Sequence, residues 1–267
     1  MGILRGKLSG TAALGGLGGV YTSSPMSWLR SWSVLLTAFH RAVTLSMSRT
    51  NRITPNYFIG YRLNCPEFQS KVGMIQQYII DTYPPMKSML TSVKKLHITG
   101  FVINLKEEHL GLVNAALNEI RSECLITLPV LSFTKFGKFS NRVLYIEPHD
   151  DDGIDFIRNM NELIYYKLMS IEALNGTENG LQNIDLQQWK AHVTIAKVKP
   201  MRNKNMKSKL LVSEDDLHLL EEQLGCWSTP LLSIDLLSMT EVDEQGYYRS
   251  YCRIDASSLD DSIEVAR

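Results

Sequence analysis

Two tripeptides in the sequence combine a histidine with a threonine two residues later. His97 and Thr99 lie in the stretch KLHITGFVINL, and His192 and Thr194 lie in KAHVTIAKV. Both stretches are apolar enough to predict buried strands, and residues i and i+2 of a strand point to the same face. A single short motif of this kind has little specificity. Two copies at matching places in the chain favour one shared site.

These four side chains suit phosphodiester chemistry that needs no metal or other cofactor. A neutral imidazole can take a proton from an attacking water or ribose hydroxyl, and a protonated imidazole can give one to the departing oxygen. Threonine hydroxyls can donate hydrogen bonds to the non-bridging phosphate oxygens and hold the phosphorus in line. We therefore predict His97 and His192 as the acid and base pair, with Thr99 and Thr194 as phosphate ligands. The sequence leaves open which histidine is the acid.

A bound nucleotide needs further contacts beside the two motifs. Aromatic rings supply flat surfaces for base stacking, and basic side chains supply contacts to phosphate. The predicted substrate-binding residues are Tyr57, Phe136, Arg142, Trp189, Lys190, Tyr247 and Tyr248. Each of them taken alone fits a core residue or a solvated surface residue equally well.

His149 and the three aspartates that follow it could suggest a metal site. They are contiguous, however, and stand just before a predicted helix. An aspartate at that place caps the first turn and favours the helix dipole. We therefore prefer a helix cap to a metal site.

Predicted helices and strands alternate from Pro55 onward and place both motifs on strands. The strands are predicted at 56–63, 95–105, 125–136, 142–148, 190–198, 230–240 and 247–255, and the helices at 66–83, 106–123, 154–172 and 213–224. Both halves of the series contain a helix, a histidine-bearing strand, a second helix and two strands. We infer a weak duplication and an α+β fold: a pseudo-twofold pair of mostly antiparallel sheets around a central cleft, with helices outside.

Composition and charge are those of a globular protein and limit the possible partners. The 267 residues are 44% hydrophobic and 21% charged. The first acidic residue is Glu67, so the body of the chain is mildly acidic. Long duplex nucleic acid needs many basic side chains, which leaves nucleotides and short oligonucleotides as ligands. The singly placed cysteines predict free thiols in a reducing compartment: Cys65, Cys124, Cys226 and Cys252.

Residues 1–50 differ from the rest of the chain. They contain five basic residues and no acidic one, and they are rich in Gly and Ser before the run SWLRSWSVLLTAFHRAVTL. Arginines interrupt this run, which is too polar for a stable membrane span. An acid-free, potentially amphipathic leader predicts a transit peptide and a mitochondrial location. A disordered extension upstream of a start at Met47, with a cytoplasmic or nuclear protein, is the alternative.

The two motifs resemble the His-x-Thr pair that defines the 2H phosphoesterase superfamily. The chain is closer still to the central domain of the gamma-type A-kinase anchoring proteins. TPNYFIGYRL resembles that domain's opening strand, SFTKFGKFSNRVLYIEP its Phe-Gly turn and next strand, and SIDLLSMTEVDEQGYYRSYCRID its closing hairpin with paired tyrosines. The resemblance covers residues 54–256 and leaves 257–267 as a tail.

This resemblance implies a LigT-like fold and metal-independent cleavage of 2′,5′-linked oligoadenylate or a similar short RNA-type phosphodiester. It also implies binding of AMP-like nucleotides, and a binding module with little or no catalysis is the alternative function. Ala191 replaces a proline often found before the second histidine, a change we expect to be tolerated. The anchoring proteins bind a kinase regulatory subunit through an amphipathic helix after this domain. The closing residues SSLDDSIEVAR do not predict such a helix, so we do not expect that partner.

Overall fold

The computed structural model describes residues 54–124, 126–176, 180–181, 184–198 and 209–255. The strands of this part of the chain are β1 (Tyr57–Arg62), β2 (His97–Ile103), β3 (Val130–Phe139), β4 (Val143–Pro148), β5 (Val193–Lys197), β6 (Trp227–Pro230), β7 (Ser233–Val242) and β8 (Tyr248–Asp255). Its α-helices are α1 (Pro66–Thr82), α2 (Leu110–Glu123), α3 (Asp152–Met169) and α4 (Glu214–Leu224). None of these helices is long and apolar enough to cross a membrane. The predicted leader and tail lie outside the described residues, and the mitochondrial location stays a prediction.

All eight strands form one sheet in the order β6-β3-β4-β5-β2-β1-β7-β8, and every neighbouring pair is antiparallel. Four strands lie on each side of the join between β5 and β2, so the predicted two-lobed α+β fold is confirmed. The two lobes share one continuous sheet, and each lobe takes strands from both halves of the chain. Periodicity predicts strands but not their partners, so the sequence did not reveal this exchange.

One face of the sheet carries the main core, because all four helices pack against it. Val72 of α1, Val113 of α2, Ile157 of α3 and Leu217 of α4 are buried in the same cluster as Ile98 of β2. Burying an aliphatic side chain of this size contributes about 1.5–3 kcal/mol relative to leaving it exposed. The helices therefore fix which face of each strand is turned inward.

The other face is left for the motif residues. Along β2 the side chains alternate, with Ile98 buried and His97 and Thr99 partly exposed. A small second cluster lies on this face and contains Phe58 and Tyr247. We call this face of the sheet the cleft face.

The acidic stretch after β4 is a helix cap. The Asp151 side chain accepts a hydrogen bond of 3.0 Å from the backbone N–H of Gly153 at the start of α3. Arg158, one turn further on, forms ion pairs with Asp150 and Asp155. Among the described residues there is no group of three or more His, Cys, Asp or Glu side chains arranged to hold a metal ion.

Strand β6 was not predicted, and the other predicted elements differ from the observed ones mainly at their ends. Ser213 caps α4 as predicted, in a capping box with Asp216. Helix α3 ends at Met169, before the predicted end, and α2 begins at Leu110 after a short 3-10 turn. The four cysteines are free, two of them buried, and burial raises the pKa of the Cys252 thiol to about 11.

Candidate active site

The two motifs meet where the two lobes join. Ile98 of β2 stands opposite Val193 of β5 in antiparallel register. Continued by one residue on either side, this register pairs His97 with Thr194 and Thr99 with His192. The two histidines then occupy diagonal positions, which lie about 7–8 Å apart in an antiparallel pair. A phosphate group between them would reach both rings.

The same hydrogen bond holds both imidazole rings. Nδ1 of His97 lies 2.7 Å from the carbonyl oxygen of Lys95, and Nδ1 of His192 lies 2.9 Å from that of Lys190. A carbonyl oxygen can only accept, so each Nδ1 carries a hydrogen and donates it. Nε2 of each ring is therefore a proton acceptor when the ring is neutral and a proton donor when it is protonated.

Two aromatic rings pack against His97. The Phe58 and Tyr248 ring centres lie 4.9 and 5.2 Å from the imidazole, and 5.1 Å from each other. Gly60 makes room for this arrangement, because a Cβ there would lie 2.9 Å from Cε2 of Phe58. The rings fix the orientation of the imidazole and remove water from one side of it.

His192 has a matching pair of rings. Phe139 and Tyr145 lie 5.0 and 5.5 Å from its imidazole, and their own ring centres are 4.3 Å apart in a stacked arrangement. Gly137 faces Tyr145 across the β3–β4 pair, and a Cβ there would lie 2.6 Å from Cε2 of that tyrosine. Both lobes therefore use a glycine to let an aromatic ring settle beside the motif histidine.

A lysine precedes each histidine by two residues. Nζ of Lys95 lies 4.8 Å from the ring centre of Tyr248, and Nζ of Lys190 lies 5.4 Å from that of Tyr145. Lys190 also forms an ion pair of 3.0 Å with Glu147. Burial opposes its charge, but hydrogen bonds and charges from Tyr145 and Glu147 outweigh burial and raise the pKa of Lys190. The repeated unit is thus Lys-x-His-x-Thr.

Burial lowers the pKa of both histidines. The pKa of His97 falls to about 4, since burial and the charge of His192 together outweigh the hydrogen bond to the Lys95 carbonyl. The pKa of His192 is also lowered, first by burial and then by the charges of Lys190 and Lys197, against the hydrogen bond to its backbone partner. At neutral pH His97 is therefore in its neutral form, in which Nε2 has a lone pair that can accept a proton.

Trp189 links the second motif to the first. Its indole Nε1–H donates a hydrogen bond of 2.8 Å to the backbone carbonyl oxygen of Thr99. The ring is partly buried against the main core. The bond crosses the join between the lobes and fixes the backbone that carries the first motif's threonine.

A cleft of about 420 Å³ opens beside the join. Its walls are Thr99, Gly100, Phe101, Val102, Phe139, Ile184, Asp185, Leu186, Gln188, Trp189, Lys190 and His192. Ligand sites of small molecules have this size and this mixture of apolar walls with a few polar groups. The cleft touches one residue of each motif, so a ligand in it would contact both.

Residues 55–255 match the family described as the AKAP7 2′5′ RNA ligase-like domain. The chain belongs to this family. Its fold is similar to that of TT0787 of Thermus thermophilus, at 15% identity and a TM-score of 0.50, over 75% of this chain and 97% of that one. E. coli LigT complexed with ATP has 12% identity and a TM-score of 0.46 over 76% of this chain and 99% of that one. No curated protein matches the chain significantly.

As an AKAP7 2′5′ RNA ligase-like domain, the chain is a member of the 2H phosphoesterase superfamily, as the resemblance of its motifs predicted. The structure brings all four predicted motif residues to the join of the lobes. His97 is the first residue of β2. His192 lies one residue before β5, because the observed strand begins later than the predicted strand 190–198.

Two predicted stacking residues lie on the other face of the sheet. Tyr57 pairs with core-facing Ile103, and Phe136 pairs with core-facing Ile146. Directly paired residues share a face, so neither ring can reach a ligand on the cleft face. This corrects the prediction for both residues, since composition identified the rings but not the register of their strands.

The other five predicted contacts have different surroundings. Trp189 and Lys190 line the cleft, and Tyr248 packs on His97. Arg142 is exposed in the turn between β3 and β4. Tyr247 is 0% exposed, so it cannot stack on a base, which corrects that prediction.

Sequence reasoning missed the ring partners of the histidines and the first lysine. Phe58, Phe139, Tyr145 and Lys95 were not among the predicted site residues. A signal for Lys95 was present, because KLHIT and KAHVT share their lysine as well as their histidine and threonine. The three rings needed the strand register, which the sequence does not contain.

Proposed function

We propose that this domain is a metal-independent phosphodiesterase that cleaves 2′,5′-linked oligoadenylate or a similar short RNA-type phosphodiester. The observation that carries the proposal is the paired presentation of two imidazoles. Each donates from Nδ1 to a backbone carbonyl, and within the part of the chain that the structure describes neither Nε2 has a hydrogen-bond partner. The strand register places each imidazole opposite the other motif's threonine. This pairing supplies one proton acceptor and one proton donor on either side of a phosphate.

The step we propose is an in-line displacement at phosphorus. Nε2 of one histidine removes the proton from the attacking oxygen, which belongs to water or to the neighbouring ribose hydroxyl. The new O–P bond forms as the bond from phosphorus to the leaving ribose oxygen breaks. Nε2 of the other histidine gives its proton to that leaving oxygen. Hydroxyls of Thr99 and Thr194 donate to the non-bridging oxygens and stabilise the charge that builds on them.

The surroundings of the histidines favour His97 as the base. Its pKa of about 4 keeps the ring neutral, which a base requires. Burial and the nearby lysines lower the pKa of His192, but the negative phosphodiester would approach this ring directly and favour its protonated form. We therefore assign the acid to His192.

The same lowered pKa values favour the alternative function. At neutral pH neither ring of the free protein is readily protonated, and a site without a proton donor binds a nucleotide but turns it over slowly. An AMP-binding module would use the cleft beside the join in the same way, with the histidines as hydrogen-bonding groups.

The experiment that separates these functions uses one set of substrates. The protein is incubated in EDTA with 2′,5′-oligoadenylate, 3′,5′-oligoadenylate and 2′,3′-cyclic nucleotides, and the products are resolved by chromatography. We expect turnover of the 2′,5′-linked substrate by the wild type and a loss of at least about a hundredfold in His97→Ala and in His192→Ala. Turnover that disappears in EDTA, or that survives both substitutions, contradicts the mechanism. Binding of AMP without turnover of any substrate establishes the binding module instead.

A further inference from the structure

Arg62 places a fixed positive charge next to His97. It is the register partner of His97 across the β1–β2 pair, so its side chain lies on the cleft face beside the imidazole. Two contacts hold the guanidinium. Nε donates a hydrogen bond of 2.7 Å to Oδ1 of Asn64, and Cζ lies 4.2 Å from the ring centre of Tyr247. An arginine held in this way loses little side-chain entropy when it binds a ligand.

Lys95 adds a second charge at the same place. Its ammonium group lies 4.8 Å from the ring centre of Tyr248, and the rings of Tyr247 and Tyr248 are 5.7 Å apart. Two cations therefore stand on two neighbouring rings, and one of those rings packs against His97. This end of the site therefore carries two positive charges beside His97.

The buried acid Asp235 forms its ion pair with Arg253 and not with Arg62. It is fully buried, and three side chains donate hydrogen bonds to its two oxygens. Its Oδ1 accepts from Arg253 Nε at 2.8 Å and from Ser250 Oγ at 2.7 Å, and its Oδ2 accepts from Ser233. Among the described residues, none accepts a hydrogen bond from the Nη groups of Arg62. The Nη–H groups of Arg62 are therefore available to donate hydrogen bonds to an anion.

We propose that Arg62 and Lys95 form a second phosphate subsite, which takes a terminal phosphate monoester of the bound oligonucleotide. This inference rests on the proposed function for its ligand class. Guanidinium groups match phosphate in geometry, and a terminal phosphate carries more charge than the internal diester between the histidines. The subsite lies on the His97 side of the join. The apolar cleft is lined by Thr99 to Val102 of β2, further along the strand than Lys95 and His97, and by Trp189 and His192, and it takes a base. The two features together give the bound oligonucleotide a direction.

Binding of three adenylate dimers tests the subsite. All three are 2′,5′-linked; one has no terminal phosphate, one has a 5′-phosphate, and one has a phosphate at its 2′ end. Dissociation constants are measured by calorimetry with the full-length protein carrying His192→Ala, so that turnover does not interfere. We expect one terminal phosphate to tighten binding about tenfold, since hydrogen bonds to charged groups contribute at least that much. The end that has this effect defines the direction of the ligand.

Adding Arg62→Gln to this protein should remove the tenfold gain and leave the dimer without a terminal phosphate bound as before. Arg62→Lys keeps the positive charge but lacks the paired N–H donors of the guanidinium, so it should retain part of the tenfold gain in affinity. Arg249→Gln is the matched control. Arg249 also lies over a tyrosine ring and is ion-paired with Glu241, yet it stands by Tyr251 at the far edge of the sheet. This control should change nothing.

Two results would overturn the subsite. The first is that neither the 5′-phosphate nor the phosphate at the 2′ end improves binding. The second is that Arg62→Gln weakens the binding of all three dimers equally. A last measurement tests whether inorganic phosphate competes with the phosphorylated dimer. If it competes with the phosphorylated dimer only in proteins that keep Arg62, the subsite takes a phosphate group whatever its source. Because these measurements need no turnover, they stand even if the protein proves not to be a phosphodiesterase.

Discussion

Ile98 and Val193 stand opposite each other at the join of the two lobes, and both side chains are 0% exposed. They are the middle residues of the two His-x-Thr motifs. Because they point into the core, the histidine and threonine on either side of each must point to the cleft face. A slip of one residue in either strand would turn the polar groups inward. The core contact therefore sets the geometry of the site.

Ile98→Ala should lower both stability and activity. Removing a fully buried isoleucine to alanine costs about 2–5 kcal/mol in the free energy of unfolding, because a cavity remains. Urea unfolding measures this loss. Val102→Ala is the control on the same strand, since Val102 is 41% exposed and its truncation should change stability by less than about 0.5 kcal/mol. Equal losses in the two variants would contradict the role assigned to the core contact.

The pH dependence of kcat/KM should show an acidic optimum. His97 as base must be neutral, so activity rises with pH through its pKa of about 4. His192 as acid must be protonated, so activity falls as pH rises through its pKa, which is lowered from the usual 6.5. The profile of kcat/KM reports the free enzyme and should therefore peak on the acidic side of the usual histidine pKa. It is measured in EDTA with 2′,5′-oligoadenylate. An optimum at or above neutral pH would contradict this assignment.

Most of the fold could be predicted from the sequence because its strands and helices have clear periodicity. The helix that begins at Pro66 and the cap at Ser213 were both predicted from local signals, and such signals do not depend on tertiary contacts. The pairing of β7 with β1 could not be predicted. It depends on which apolar strands meet in the folded protein, about which a single sequence says nothing.

In the candidate site, too, the sequence predicts the features that depend on local spacing but not those that depend on strand pairing. His97 and His192 could be predicted because their spacing to threonine repeats in the chain. The aromatic residues around them could not, because the difference between Phe136 and Phe139 is one of register. A bulge between Phe133 and Lys135 shifts the β3–β4 pairing and helps to decide which phenylalanine faces the histidine.

Trp189→Phe should reduce activity without unfolding the protein. The phenylalanine keeps an apolar ring but loses the hydrogen bond from Nε1 to the Thr99 carbonyl. Such a bond contributes about 0.5–1.5 kcal/mol, which corresponds to a two- to tenfold loss in kcat/KM if the motif backbone loosens. Trp227→Phe is the matched control, because Trp227 stacks on Phe68 in the core. If both variants lose the same activity, the bond of Trp189 has no special role.

Gly137→Ala should disturb His192 through Tyr145. The added methyl group would lie 2.6 Å from Cε2 of Tyr145, so the ring must move away from the position in which it packs on the imidazole. Overpacking of this kind costs about 1–3 kcal/mol in stability. Movement of the ring also lets water reach His192. Since burial is the main cause that lowers the pKa of this histidine, its pKa should rise towards the usual value.

The readout is the falling limb of the kcat/KM profile, which should move to higher pH in Gly137→Ala. A purely structural loss would lower kcat/KM at every pH without moving the limb. Gly73→Ala is the control, since a Cβ at that helical position meets nothing within 4 Å. It should leave the profile unchanged and raise stability by about 0.4–1 kcal/mol. A limb that stays in place in Gly137→Ala would show that Tyr145 does not set the pKa of His192.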